Sequence, residues 1–253
     1  LFLFNKKQFY KKMKNIFLIL IIGLGFQMSN VSAQTVTQTD SWWMYFGNHR
    51  INEKLGLHTE YQFRRSDFAT NWQQSLMRVG LDYYLPNKTM ATVGYGWIVS
   101  FPYGEQPIAV ATTEHRIWQQ FVLNQNIGRF YFNHRYRLEQ RFIEKASLDT
   151  NGEKQVDGFK FRQRARYRFL VTVPITKKTL EDNTLFFAAY DEPFLGFGKG
   201  ISTNFLDQNR LYFALGWRFD KDFNVQLGYL SQRVMKSDGV KIENNNTMQL
   251  GLT

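Results

Sequence analysis

The chain has no cysteine among its 253 residues. That absence excludes a disulfide framework, a thiolate metal site, a thiol nucleophile and a lipid-modified cysteine anchor. Histidine is scarce, with four, which leaves little from which to build a zinc site. Beyond Gln34 there is no apolar run of the roughly 18 residues that marks a membrane-spanning helix, and no long stripe at helical spacing. Acids are the minority charge: Lys plus Arg number 32 against 21 Asp plus Glu. Such a balance admits nucleic acid, acidic lipid or anionic solutes as partners, and charge alone does not separate them.

What is present starts with "KKQFYKKMKNIFLILIIGLGFQMSNVSAQ", lysines followed by an apolar run from Ile16 to Phe26 and small residues up to Ala33. This pattern reads as a secretory signal peptide cleaved before Gln34, its apolar run too short to span a bilayer as a helix. The chain opens on Leu1, so Met13 is read as the initiator and residues 1–12 as upstream translation. Removing residues 1–33 takes five lysines and no acid from an excess of +11, leaving +6. Residues 34–253 are expected to form one exported, basic domain.

Two-residue alternation runs through almost all of that domain. In "LGLHTEYQFR", Leu55, Leu57, Thr59, Tyr61 and Phe63 share one face, while Gly56, His58, Glu60, Gln62 and Arg64 share the other, as a strand requires. The pattern recurs at 77–85, 91–99, 113–124, 129–143, 158–173, 206–219 and 223–236, and less tidily at 184–192. Short turns at 52–54, 86–88, 125–128 and 220–222 alternate with longer polar connections at 101–112, 144–157, 194–205 and 237–246. Strands of about ten residues, one apolar and one polar face, and an export signal together predict an all-β, antiparallel, up-and-down outer-membrane barrel with short periplasmic turns and longer external loops. A soluble lipocalin-like barrel would turn its apolar face inward. Eleven segments can be marked, and closed bacterial barrels normally have an even count, so about twelve strands are expected, with ten as the rival. Either the "QTVTQTDSWW" segment supplies a first strand or 34–40 is a tether; "NNNTMQLGLT" reads as a partial last strand lacking a few C-terminal residues. Trp42, Trp43, Tyr45, Tyr83, Tyr84, Tyr95, Trp97, Trp118, Trp217 and Tyr229 are expected in aromatic girdles.

Four segments in series, "TEHRIWQQF" (113–121), "NHRYRLEQRF" (133–142), "YDEPFLGFG" (190–198) and "DQNRLYFALGWRF" (207–219), resemble the Bacteroidota outer-membrane β-barrel family catalogued as domain of unknown function 2490. The resemblance covers essentially all of 42–253. It implies a barrel at the bacterial outer membrane and supplies no activity, so no catalytic residue is carried over.

Function must therefore come from the residues. "FKFRQRARYRFLV" (159–171) places Lys160, Arg162, Arg164, Arg166 and Arg168 on one strand face, and "YFNHRYRLEQRF" (131–142) places Arg135, Arg137 and Arg141 beside Glu139 on another. Arg64, Arg78, Arg116, Arg210 and Arg218 share the inward phase, against Glu60, Asp82, Glu114 and Glu139, with Asp191 or Glu192 in addition. This excess of cations in a narrow interior predicts an anion-favouring channel or an anionic-ligand site, because unpaired charge away from water is costly unless a counter-ion screens it. The alternative is a non-conducting structural component braced by internal Arg–Glu pairs, and the third reading is a lipid- or peptide-modifying enzyme. The enzyme reading has only His58 with Glu60 to offer, about 6.6 Å apart along one strand, so a neighbouring strand would have to complete the dyad. No cofactor or metal is expected. The acids of "DTNGEKQVDG" lack calcium-loop spacing. The expected partners are outer-membrane lipid, a small anionic solute and a protein of the same membrane, with no nucleic acid.

Overall fold

The computed structural model describes residues 35–104, 108–198, 201, 205–236 and 241–253. The signal-peptide reading of residues 1–33 lies outside the described residues. Alternation becomes strand throughout: β1 (Thr35–Arg50), β2 (Leu55–Ser66), β3 (Asn71–Leu85), β4 (Thr89–Ser100), β5 (Thr112–Ile127), β6 (Phe130–Leu148), β7 (Lys154–Pro174), β8 (Thr184–Phe197), β9 (Leu206–Arg218), β10 (Asn224–Met235) and β11 (Ile242–Leu252). These strands form one sheet closed on itself, and among the described residues the only helical element is the short 3-10 turn Asp67–Ala69.

The expected twelve strands, or ten, are corrected to eleven among the described residues. An even count follows only when every neighbouring pair is antiparallel. Here β1 and β11 run parallel, Thr35 opposite Ile242 and Tyr45 opposite Leu252, and one parallel pair lets an odd number close. β1 is a single strand rather than a tether and a strand. Its first residues pair only with β11, and from Asp40 onward it pairs with β2 as well. The segment read as a partial last strand begins earlier, at Ile242, and is paired on both sides over 11 residues.

Closure carries the usual stagger. Following paired residues from Trp42 through β2, β3 and β4 reaches Thr112 on β5, whereas the route through β11, β10, β9, β8, β7 and β6 reaches Asn126. Such an offset tilts the strands into the roughly 35–45° range of barrels.

The connections differ from expectation in several places. The β7–β8 link at 175–183 is long although it lies at the end of the short turns, and the β2–β3 link at 67–70 is short although it lies at the other end. The expected loop 144–157 is mostly strand: β6 and β7 continue as a hairpin past the end of β5, pairing down to Leu148 with Lys154. The β4–β5 connection leans over the opening, where Tyr103 Oη donates to Glu243 Oε1 of β11 at 3.2 Å.

The two faces of the sheet separate by chemistry. Outward-pointing Leu57, Met77, Val79, Leu81, Val93, Ile117, Leu138, Leu215 and Leu227 are all exposed, while Glu60, Arg78, Asp82, Glu114, Arg116 and Glu139 are buried inside. The girdle assignment needs three corrections: Tyr84, in phase with the buried Asp82, lines the interior, and Trp42 and Trp118, 1% and 0% exposed, sit inside the barrel. The two tryptophans share the parity of Met44 and of Glu114 and Arg116, so the strand phase sends them inward. Trp43, Tyr45, Tyr83, Tyr95, Trp97, Trp217 and Tyr229 do lie on the outer face. Tyr84 lies beneath the Arg50 guanidinium, 4.5 Å from its ring centre.

Candidate functional site

The interior is organised by an electrostatic conflict in the register of β6 and β7. Arg135 lies opposite Arg168, Arg137 opposite Arg166 and Arg141 opposite Arg162; only Glu139 opposite Arg164 is an attractive pair. Like charges facing each other across strands are destabilising, so carboxylates must arrive from other strands. Glu114 of β5 takes Arg141 through two bonds of 2.8 Å and holds Arg116 at 2.6 Å. Glu192 of β8 accepts from Arg135 at 2.7 Å and from Arg166 at 2.8 Å. Glu60 of β2 pairs with Arg78 and lies 3.9 Å from Arg137 across the interior.

Glu139 is the hub. Fully buried, it accepts from Arg164 at 2.7 Å and Arg166 at 2.9 Å, with Arg116 at 3.3 Å and Arg78 at 3.6 Å. One carboxylate thus ties β3, β5, β6 and β7 together. Beside this hub sits Trp118, seated in a notch made by Gly80 and Gly94, which face each other across β3 and β4. A Cβ on Gly94 would stand 2.5 Å from the Trp118 ring. The indole in turn carries Arg137 over its face at 4.7 Å and His58 against it at 5.1 Å.

The opposite wall is different. Around a cavity of about 910 Å³, Arg64, Arg168 and Arg210 have no carboxylate within 4.0 Å among the described residues. Arg210 is directly opposite Glu192 in register, yet Glu192 gives its oxygen to Arg135 and Arg166. The Arg210 guanidinium lies instead between Trp42, at 5.0 Å, and Phe194, at 4.8 Å. Arg64 stacks on Trp42 at 3.9 Å and donates to Gln62 and Gln74. Arg168 donates to Asn133 at 2.9 Å and lies 5.7 Å from the Tyr190 ring centre. Stacking on aromatic faces stabilises a guanidinium without neutralising it. From Trp42 an apolar stripe continues through Met44 and Tyr212, with Phe46 and Tyr190 packed against it.

Of the residues expected inside, Arg135, Arg137, Arg141, Arg164, Arg166, Glu60, Glu114 and Glu139 are brought together in the network. Lys160 is not: it lies exposed on the projecting hairpin, opposite Ile143. Arg162, one pair further in, is half-buried, as is Arg218 at the far end of β9. Asp82 is buried but partners no cation; it accepts from Asn48 and Thr92, each at 2.6 Å. Sequence reasoning left Glu192 undecided with Asp191 and missed Asp40 and Glu243, which are buried on the closing strands. His58 and Glu60 approach to 3.5 Å from one strand, closer than their backbone spacing suggests, although Glu60 is already held by Arg78. Among the described residues no three His, Asp or Glu side chains converge as a metal-binding group.

No curated protein and no solved structure matches the chain. A family does, over residues 39–243. With an all-β barrel observed along that stretch, the chain belongs to the family described as a protein of unknown function, DUF2490.

Proposed function

We propose that the protein is an exported outer-membrane β-barrel whose interior favours anions, as a narrow channel or a binding chamber. The apolar outer face supports the membrane placement. Leu57, Leu81, Val93, Leu215 and Leu227 are 39–55% exposed with nothing over them among the described residues, an arrangement that water disfavours and lipid accepts. The observation that carries the anion preference is the wall of Arg64, Arg168 and Arg210, which lack carboxylates beside a cavity of about 910 Å³. Residues from both ends line that cavity, Arg50 and Lys88 near the short turns and Tyr103 and Glu243 near the other end. Cations with no carboxylate in direct contact raise the local concentration of anions and set selectivity. Planar-bilayer recording in a potassium chloride gradient tests this: the reversal potential lies on the chloride side, and Arg64→Glu with Arg210→Glu moves it toward potassium. A cation-directed potential in the unaltered protein overturns the reading.

A second reading rests on Glu139 and the leaning β4–β5 connection. The hub braces half of the interior, and Tyr103 reaches across the opening to Glu243. A barrel serving only as a scaffold would use both features and show no conductance at all. No catalytic role is proposed for His58.

A further inference from the structure

The unpaired wall has more chemical definition than positive charge. The Arg210 guanidinium lies over Trp42 at 5.0 Å and over Phe194 at 4.8 Å and lines the cavity, sharing the Phe194 ring with Arg166 at 4.2 Å and Arg164 at 4.9 Å. With its amide oriented to present the oxygen, Gln208 accepts from Arg210 Nε at 2.6 Å and Nη2 at 3.1 Å, which occupies the Nε–Nη2 edge and leaves the Nη1–Nη2 end of the guanidinium for a ligand. Arg64 stands over the same indole, its Nε and Nη2 both donating to Gln62 and its Nη1 to Gln74, so that only its terminal Nη1–Nη2 end has hydrogens to spare. A guanidinium has five N–H donors, so both keep donors beyond those the glutamines engage. Rigid forks suit planar Y-shaped oxyanions, which accept two parallel bonds, better than a spherical halide.

Below this pair of forks the wall turns apolar. Met44 and Phe46 continue inward along β1 from Trp42, and Tyr190 and Tyr212 stack at 4.7 Å beside them. All four line the same cavity. An inorganic ion would leave this stripe unused, whereas a carboxylate with an apolar body covers it.

We infer that Arg210 and Arg64 hold the head group of an amphipathic carboxylate whose apolar body lies along Met44, Phe46, Tyr190 and Tyr212. This inference rests on the anion-favouring reading and names the chemical class that the interior selects. Recognition divides between a head-group term, shared by all carboxylates, and a body term that acetate lacks.

Calorimetric titration of the full chain in detergent separates the two terms without any conductance measurement. Benzoate binds about tenfold or more tighter than acetate, because burying a ring adds apolar contact. Benzylamine, with the same ring and the opposite charge, does not bind. Arg210→Lys keeps the charge and removes the fork, and weakens benzoate and acetate alike by about tenfold or more. Met44→Gln lowers benzoate toward acetate and leaves acetate unchanged. Benzoate no tighter than acetate, or full benzoate affinity in a folded Arg210→Lys protein, overturns the inference. Should Arg210→Lys not fold, Met44→Gln decides alone, and equal benzoate affinity there is the overturning result. A barrel that binds benzoate but passes no current removes the channel and leaves this site; one that passes chloride but ignores benzoate does the reverse.

Discussion

At the scale of single residues, the interior is a problem of charge supply that one glutamate largely solves. Glu139 lies within 3.6 Å of Arg78, Arg116, Arg164 and Arg166, all from a position with no solvent exposure. Glu139→Gln keeps the shape and strands those guanidiniums, so barrel stability in urea is expected to fall by about 3–5 kcal/mol, the usual cost of breaking a buried ion network. Charge reversal at Arg164 and Arg166 should likewise prevent folding rather than retune selectivity, read by loss of the heat-resistant folded band on gels. The Gly80–Gly94 notch makes a steric counterpart. Gly94→Val pushes against the Trp118 ring and the Val79 carbonyl, each 2.5 Å from a Cβ at that site. It is expected to cost about 1–3 kcal/mol in the same urea titration, as overpacking does. Much of this site was legible in the sequence, since strand parity alone sends Glu60, Glu114, Glu139 and the arginines of β6 and β7 inward. Parity does not say which acid meets which cation: Asp82 has the right phase yet meets Asn48 and Thr92, while Glu192 crosses from β8 to settle Arg135 and Arg166. Pairing depends on register between strands and on long side chains reaching diagonally, neither of which is a local property.

At the scale of elements, β6 and β7 are the outliers, spanning 19 and 21 residues. Their neighbours stop supporting them early, β5 at Glu114 opposite Ile143 and β8 at Phe197 opposite Gln163. Beyond that line the hairpin holds itself together, through pairs such as Ala146 with Val156 and the Lys145–Asp157 ion pair at 2.9 Å. The loop expected at 144–157 was inferred from its polar residues, but polarity on a strand outside the wall is satisfied by water on both faces. At its base the hairpin still touches β5, Glu144 accepting from the Thr113 N–H at 2.6 Å and Phe159 lying 5.6 Å from His115. Its end, from residue 146 to 157, meets only the hairpin itself among the described residues and can be shortened at little cost. Replacing residues 146–157 by a tight turn is expected to leave the urea midpoint unchanged within about 0.5 kcal/mol, as for surface changes away from the core. A large loss would show instead that the projection takes part in closing the wall.

At the scale of the whole molecule, the parallel contact of β1 with β11 is what local alternation could not reveal, because it joins residues about 200 positions apart and depends on closure rather than on composition. Its consequence is directional. In an even-stranded antiparallel barrel the first and last strands run in opposite directions, so the start of the first and the end of the last lie at the same rim. With eleven strands and a parallel seam, Thr35 lies level with Ile242 at the rim of the 149–153 turn, while Leu252 lies at the rim of the 219–223 turn. The absence of native cysteine makes this directly measurable. Single introduced cysteines at Thr35, Asn151, Lys221 and Thr253 would be labelled with a membrane-impermeant maleimide on intact cells and again after permeabilisation. On the outer-membrane placement proposed above, Thr35→Cys is expected to label together with Asn151→Cys, and Thr253→Cys together with Lys221→Cys, with only one of the two groups reactive before permeabilisation. Labelling of Thr35→Cys with Thr253→Cys would mean that the seam in the membrane is antiparallel and the strand count even. The result does not depend on which rim faces the cell exterior, so it tests the closure itself, on which the juxtaposition of Trp42, Arg64 and Arg210 also depends.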